Sequence, residues 1–471
     1  MTSLRQRRLT LAGSITGAAI VALDGTVLTV AQPTLQRDLH ASFVQVQWTS
    51  TGYLIAVAGL LVFAGRLGDR YGHQRVFATG ILGFGAASAA IGLAPGVGWV
   101  IGLRVAQGVF GALLQPATLG MLRAAYPPDR LGMPLALRTS AIGLAAAAGP
   151  VVGGALVAHL GWRAVFFLNV APAVLAGLLA LTVRLPEATP QAPGRAVVTR
   201  LDLPGAGLLA LTLVCLVHTL VALPESGWTT TVVLGPVAAA VAGAAFIRHE
   251  RRTTSPLIPP SVLGSSTIAA ALAILLSASA ALFGTLFVAT YFLQDVLGLD
   301  PLQCGLRVLP LAVMMVLSAP AAAVLQRRYG PRRTSAAAMA LVTAGILLLA
   351  QLDRSSTALT IGTGCLLLGA GFGTVMVTAT AVIVRHASVG EAGVAGGLQQ
   401  TAMNIGPTLG VATATMLTGL TAATGRTLMV LSVIAALGAL AARKLPSHVR
   451  PRRTGRGRYV AEQQPRGSAV Q

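Results

Sequence analysis

The sequence predicts an all-α protein that crosses a membrane many times, and three observations carry that prediction. Hydrophobic residues make up 54% of the 471-residue chain and charged residues only 10%, where a water-soluble domain carries about 25% charge. The apolar residues fall in runs of about 18–28, each long enough to cross a hydrocarbon core about 30 Å thick. Basic residues crowd into alternate gaps between those runs. No water reaches the backbone inside lipid, so each run must be helical.

Fourteen runs are expected. The first six lie at about 9–30, 46–64, 76–94, 97–122, 139–158 and 163–183. Arg5, Arg7 and Arg8 before the first run imitate a signal peptide, but its length and the Asp24 inside it favour a retained span. Composition then shifts to Pro, Gly, Ala, Thr and charge over 185–200, which reads as a linker. Two further runs, about 203–223 and 229–247, precede a second polar stretch, and six more lie between about 267 and 442. The expected organisation is a six-helix bundle over 1–184, a linker with two inserted helices over 185–266, a second six-helix bundle over 267–442 and a basic, disordered tail over 443–471.

The net charge of +21 could suggest a nucleic-acid partner, but its placement argues for lipid. With the amino terminus inside, only Arg37, Arg163, Arg307, Arg354 and Arg426 of the 34 basic residues fall in outer loops. That bias puts both termini in the cytoplasm. Trp48, Trp99, Trp162 and Trp228 all begin outer-facing ends, as an interfacial aromatic belt would. Cys215, Cys304 and Cys365 have no paired spacing, so neither a disulfide framework nor a metal site is expected.

The two six-run blocks echo each other. Arg70-Tyr71-Gly72-x-x-Arg75 recurs 258 residues later as Arg328-Tyr329-Gly330-x-x-Arg333. Gly149-Pro150-x-x-Gly153 recurs 257 residues later as Gly406-Pro407-x-x-Gly410.

Charge inside the membrane marks the candidate site. A carboxylate at the bilayer centre costs about 2.5–3.5 kcal/mol on insertion scales, so an intramembrane Asp is a functional residue by default. Asp24 lies deep in the first run, and Arg104 lies in the fourth. Burial favours a neutral carboxyl and a neighbouring guanidinium favours an ionised one. A group held between those influences can load and release a proton. Asp24 is expected to carry the proton, with Arg104 and Gln107 tuning it; the bland alternative is a structural pair.

These motifs resemble the major facilitator superfamily, in its fourteen-span drug/proton antiporter branch. Gly65-Arg66-Leu67-Gly68-Asp69-Arg70-Tyr71-Gly72-His73-Gln74-Arg75 is similar to the superfamily's inner-loop signature. Leu23–Pro33, Arg104-Val105-Ala106-Gln107-Gly108 and Gly149–Gly154 resemble the branch's first-, fourth- and fifth-helix motifs. Thr29, Gln32, Gln74, Ala145 and the position of Pro172 depart from the usual pattern.

The resemblance implies two bundles around a midplane cavity that rock against each other. Gly65, Asp69, Arg70, Gly72 and Arg75, with Gly149, Pro150, Gly153 and Gly154, would control that movement, Asp69 pairing across the gap between halves. Glycines at 149, 153 and 154 would allow close helix approach, and Pro150 would bend its helix.

Gln115, Gln399, Gln400 and Asn404 are candidate cavity residues, with interhelical hydrogen bonding the alternative. His218, in the insert, reads as a packed neutral histidine.

The expected function is export of lipophilic drugs or antibiotics by a monomer in a bacterial cytoplasmic membrane, in exchange for protons. Apart from Asp24, every acidic residue falls in a loop, a tail or a span end. The expected substrate is therefore neutral or singly cationic. No cofactor beyond the proton gradient is called for. No phosphate-binding loop occurs and Lys444 is the sole lysine, which disfavours ATP-driven transport. A proton-coupled importer on the same fold is the nearest alternative. An integral-membrane enzyme is the more distant one, disfavoured because the spans hold no nucleophile–base pair.

Overall fold

Local chemistry sets where the helices start and stop. Ser42 opens the second helix with a capping box: its Oγ accepts from Gln45 N at 3.3 Å, and Gln45 Oε1 accepts from Ser42 N at 2.9 Å. Gly72 closes that helix at φ 91°, a backbone state that needs glycine. The computed structural model describes residues 4–127, 130–182, 202–226, 230–254, 256–299, 301–353, 356–421 and 424–447. Among these, every regular element is helical.

The first bundle holds α1 (Leu4–Asp38), α2 (Phe43–Tyr71), α3 (His73–Gly92), α4 (Val97–Ala125), α5 (Gly132–Leu160), α6 (Trp162–Phe167) and α7 (Val170–Thr182). The inserted pair is α8 (Leu203–Ser226) and α9 (Thr230–Glu250). After the short α10 (Pro260–Leu263) come α11 (Ser266–Tyr291), α12 (Pro301–Leu349), α13 (Ala358–His386), α14 (Ala392–Thr421) and α15 (Thr424–Ala441).

Several expectations change. Nine described helices are long and apolar enough to cross a membrane, or ten if the bent α5 is one span. The fourteen expected are not all met on that measure, partly because of α12. Its 49 residues would extend about 74 Å at 1.5 Å each, more than twice a hydrocarbon core. It breaks at Gly330, where φ is 81°. The sixth expected run is divided between α6 and α7 at Leu168-Asn169. The linker expected over 185–200 and nearly all of the tail, from 448, lie outside the described residues.

Trp48 and Trp99 are exposed, whereas Trp162 is fully buried against Phe166. It belongs to the core and not to an interfacial belt; Trp228 lies outside the described residues. His218 stacks on Trp48 with ring centroids 6.0 Å apart.

Within the first bundle, α5 packs on α1, and α4 on α2 and α3. In the second, α14 and α15 pack on α11, and α13 on α12. The bundles meet along α2–α14 and α5–α12, and α8 leans on α2 and α14 beside that seam. Asp202 pins the inserted pair, capping Gly205 N at 2.9 Å and meeting His249 Nε2 at 2.8 Å.

Candidate functional site

Four helices, α1 to α4, and the turn between α6 and α7 bring one polar cluster together inside the first bundle. Asp24 on α1 is 3% exposed and Arg104 on α4 is 1% exposed. Arg104 Nη1 donates to Asp24 Oδ2 at 2.7 Å and to Gln107 Oε1 at 2.5 Å. The other carboxylate oxygen, Oδ1, accepts from Asn169 Nδ2 at 2.8 Å and Gln107 Nε2 at 3.3 Å. Gln107 also donates to Ser88 Oγ at 2.6 Å. Arg104 Nε reaches Thr49 O at 3.0 Å, and its guanidinium lies 4.3 Å over the Tyr53 ring. Each charge is thus paired and hydrogen-bonded, the condition for burying it at all. Removing one partner from such a pair typically costs about 3–5 kcal/mol.

A second carboxylate joins the two bundles. Asp69, near the end of α2, accepts from Gly393 N at 2.8 Å and Val394 N at 3.1 Å. Those groups open α14, so the carboxylate caps a helix whose positive end attracts it. His73 Nε2 lies 3.3 Å from the same side chain. Gly65 and Gly393 touch backbone to backbone, leaving no room for a Cβ on either. Nearby, Arg66 Nη2 donates to Pro256 O at 2.6 Å, and Glu250 caps the same turn through Leu257 N and Ile258 N. Arg70 lies 5.3 Å over Tyr71 on the surface, where Arg75 is also exposed.

The glycines of α5 divide into two kinds. A Cβ at Gly149 would collide with Thr26, and one at Gly153 would lie 2.9 Å from Val27. Both seat α5 on α1, two or three residues beyond Asp24. Gly154 differs from expectation: a Cβ there would meet nothing nearer than Val30 at 4.0 Å. It lines open space. The helix bends by 44° between Ala146 and Val151, across the Gly149-Pro150 step where proline removes a helical hydrogen bond.

Between the bundles lies a cavity of about 1220 Å³. Gln115, Gln400 and Asn404 line it, together with Gly25, Tyr53 and apolar side chains such as Ile142, Met315 and Phe372. Gln399 is fully buried and does not line it. Asp24 and Arg104 are absent from the wall as well, with Tyr53 standing on both the wall and the guanidinium.

The profile described as Major Facilitator Superfamily matches residues 15–411, most of the chain. The chain belongs to the major facilitator superfamily. Among curated facilitators it is 41% identical over 412 residues to the tetracenomycin C resistance and export protein of Streptomyces glaucescens, covering 87% of this chain and 75% of that one. It is 37% identical to the puromycin resistance protein pur8 of Streptomyces alboniger, covering 85% and 80%. It is 31% identical to the multidrug efflux pump LfrA of Mycolicibacterium smegmatis, covering 84% and 77%. The crystal structure of the human organic anion transporter MFSD10 (TETRAN) superposes with a TM-score of 0.68 over 93% of this chain and 99% of that one. At 16% identity that likeness speaks to the facilitator fold alone.

Sequence reasoning reached the Asp24–Arg104–Gln107 core of this facilitator site but missed Ser88, Thr49 and Tyr53, which look like ordinary span residues. Asn169 is a lone amide in an apolar run, a signal in itself, but its partner Asp24 lies 145 positions away in the chain. Two departures from the family pattern have local partners: Gln32 donates to Ser50 Oγ at 2.9 Å, and Gln74 donates to Ala180 O. Arg138, expected in a loop, sits instead on α5, buried, in the cavity wall.

Proposed function

We propose that this facilitator exports small lipophilic antibiotics or drugs across a bacterial cytoplasmic membrane in exchange for protons. One observation carries the reading. Asp24 and Gly25 are adjacent on α1, and the first belongs to the sealed ion cluster while the second lines the cavity. Cargo and proton therefore act on the same helix at separate places. Protonating Asp24 would remove the charge that Arg104 answers and free α1 to shift with α5, which it meets at Gly149 and Gly153. Each inward proton supplies about 2.3 kcal/mol per 100 mV of membrane potential.

The bias of basic residues puts both termini inside, so the Asp69–α14 contact closes the cytoplasmic end. Fourteen spans, with bundles over 1–184 and 267–442 flanking an insert over 185–266, remain the proposed organisation, as does a monomer. The two curated resistance proteins and the pump described above support export over import by what their names say.

The decisive experiment reconstitutes the chain in vesicles of known orientation and imposes a pH gradient. Movement of a lipophilic cargo against its own gradient and opposite to the protons is expected. Co-directional movement would make the chain an importer. Chemical conversion of the cargo without movement would make it an enzyme.

A further inference from the structure

We propose that the cavity takes an organic anion and that Arg138 holds its charge. This refines the substrate class of the exporter reading above and rests on it.

Arg138 is 4% exposed, almost as enclosed as Arg104, yet the two are treated in opposite ways. Arg104 is answered by Asp24, Gln107, the Thr49 carbonyl and the Tyr53 ring. Arg138 makes no hydrogen bond or ion pair with any described residue, and its Nε is buried without a partner. A guanidinium does not shed its proton in a protein and offers five N–H donors with no acceptor. An enclosed charge of that kind is tolerated only when something pairs with it. The side chain lies on the cavity wall, so the partner must arrive from the cavity.

The remaining lining defines the ligand. No carboxylate lines the cavity among the described residues. Asp24 cannot serve as a counter-charge, since Arg104, Asn169 and Gln107 already occupy it. A cationic cargo would face Arg138 without compensation, which turns against the expectation of a singly cationic one. Gln115, Gln400 and Asn404 add amide hydrogen bonds, and the other walls are mostly apolar. At about 1220 Å³ the space exceeds the usual 300–1,000 Å³ of small-molecule pockets. The fit is a large, mostly apolar body bearing one planar oxyanion, which a guanidinium fork can hold with two parallel hydrogen bonds.

The test uses three probes on one ring system: anthraquinone-2-carboxylate, its methyl ester and a trimethylammonium derivative. Binding to the purified full chain is measured in neutral detergent with no proton gradient. The native protein should bind the carboxylate at least tenfold more tightly than the ester, and the cation least. Arg138→Gln should lower carboxylate affinity at least tenfold while leaving the ester within twofold, and Arg138→Lys should fall between. Equal or tighter native binding of the ester or the cation overturns the proposal, even if the variants fail to insert. So does a parallel loss of all three probes in Arg138→Gln, which would mark a structural role. Gradient-driven movement of the carboxylate in vesicles is scored separately. Charge-selective binding without such movement would sink the exporter reading and leave the anion site standing.

Discussion

In α2 and its following turn, Arg70 lies 5.3 Å over Tyr71 and the chain reverses at Gly72 with φ 91°. In α12, 258 residues on, Arg328 lies 5.4 Å over Tyr329 and the chain turns at Gly330 with φ 81°. The glycine seams repeat too. Gly149 and Gly153 press α5 onto Thr26 and Val27 of α1, as Gly406 and Gly410 press α14 onto Ser279 and Ala280 of α11. The charges do not repeat. At the same offset Asp24 corresponds to the buried Leu282, Arg104 to Gly362, and Asp69 to the exposed Arg327. Backbone turns and helix contacts are thus shared by both halves, while among the described residues the sealed carboxylate–guanidinium cluster lies in one. A buried charge must be fully partnered to be tolerated, and under the proposed mechanism one such cluster would suffice to couple one helix to a proton. The second half contributes a helix end, the start of α14, for Asp69 to hold.

The strongest challenge to that asymmetry is Asp24→Asn. Gradient-driven export should fall more than 100-fold while insertion and ligand binding persist. Uphill export at the native rate in vesicles would show that the chemistry is not confined to Asp24.

Shared packing predicts equal damage in both halves. Gly149→Ala and Gly410→Ala should each destabilise the protein by about 1–3 kcal/mol, the usual cost of overpacking. Gly154→Ala, with open space around it, should stay within about 0.5 kcal/mol. Thermal unfolding in detergent measures all three, and a tolerated Gly410→Ala beside a damaging Gly149→Ala would break the equivalence of the seams.

Asp69→Asn leaves one oxygen for two backbone donors and removes the charge at the helix end. Turnover should fall about tenfold, which corresponds to about 1.4 kcal/mol, with ligand affinity unchanged. Arg327→Ala, its counterpart, should stay within twofold. Weakened binding at normal turnover would remove Asp69 from the conformational cycle.

The smallest effect belongs to the repeated ring contact. Arg328→Ala should cost about 0.5–1 kcal/mol, the worth of an exposed cation–π pair. A larger loss of stability would mean that this half relies on its turn more than the shared geometry implies.

What was legible in the sequence was whatever depends on local composition. Run length and low charge dictate helices in lipid. The cost of one carboxylate in an apolar run singles out Asp24 without any knowledge of its neighbours. The repeated glycines at matching positions marked the seams where α5 meets α1 and α14 meets α11. The rest needed the packed structure because it depends on how each helix is rotated and where it begins. Successive residues point about 100° apart around a helix, so Gln400 lines the cavity while Gln399 is fully buried off it. The helix α5 begins at Gly132, before the apolar run expected at about 139, which moves Arg138 from a loop into the cavity wall. Asn169 becomes the third donor to Asp24 only because α6 and α7 part beside it. Contacts between residues 145 positions apart are decided by tertiary packing, which no single run of sequence contains.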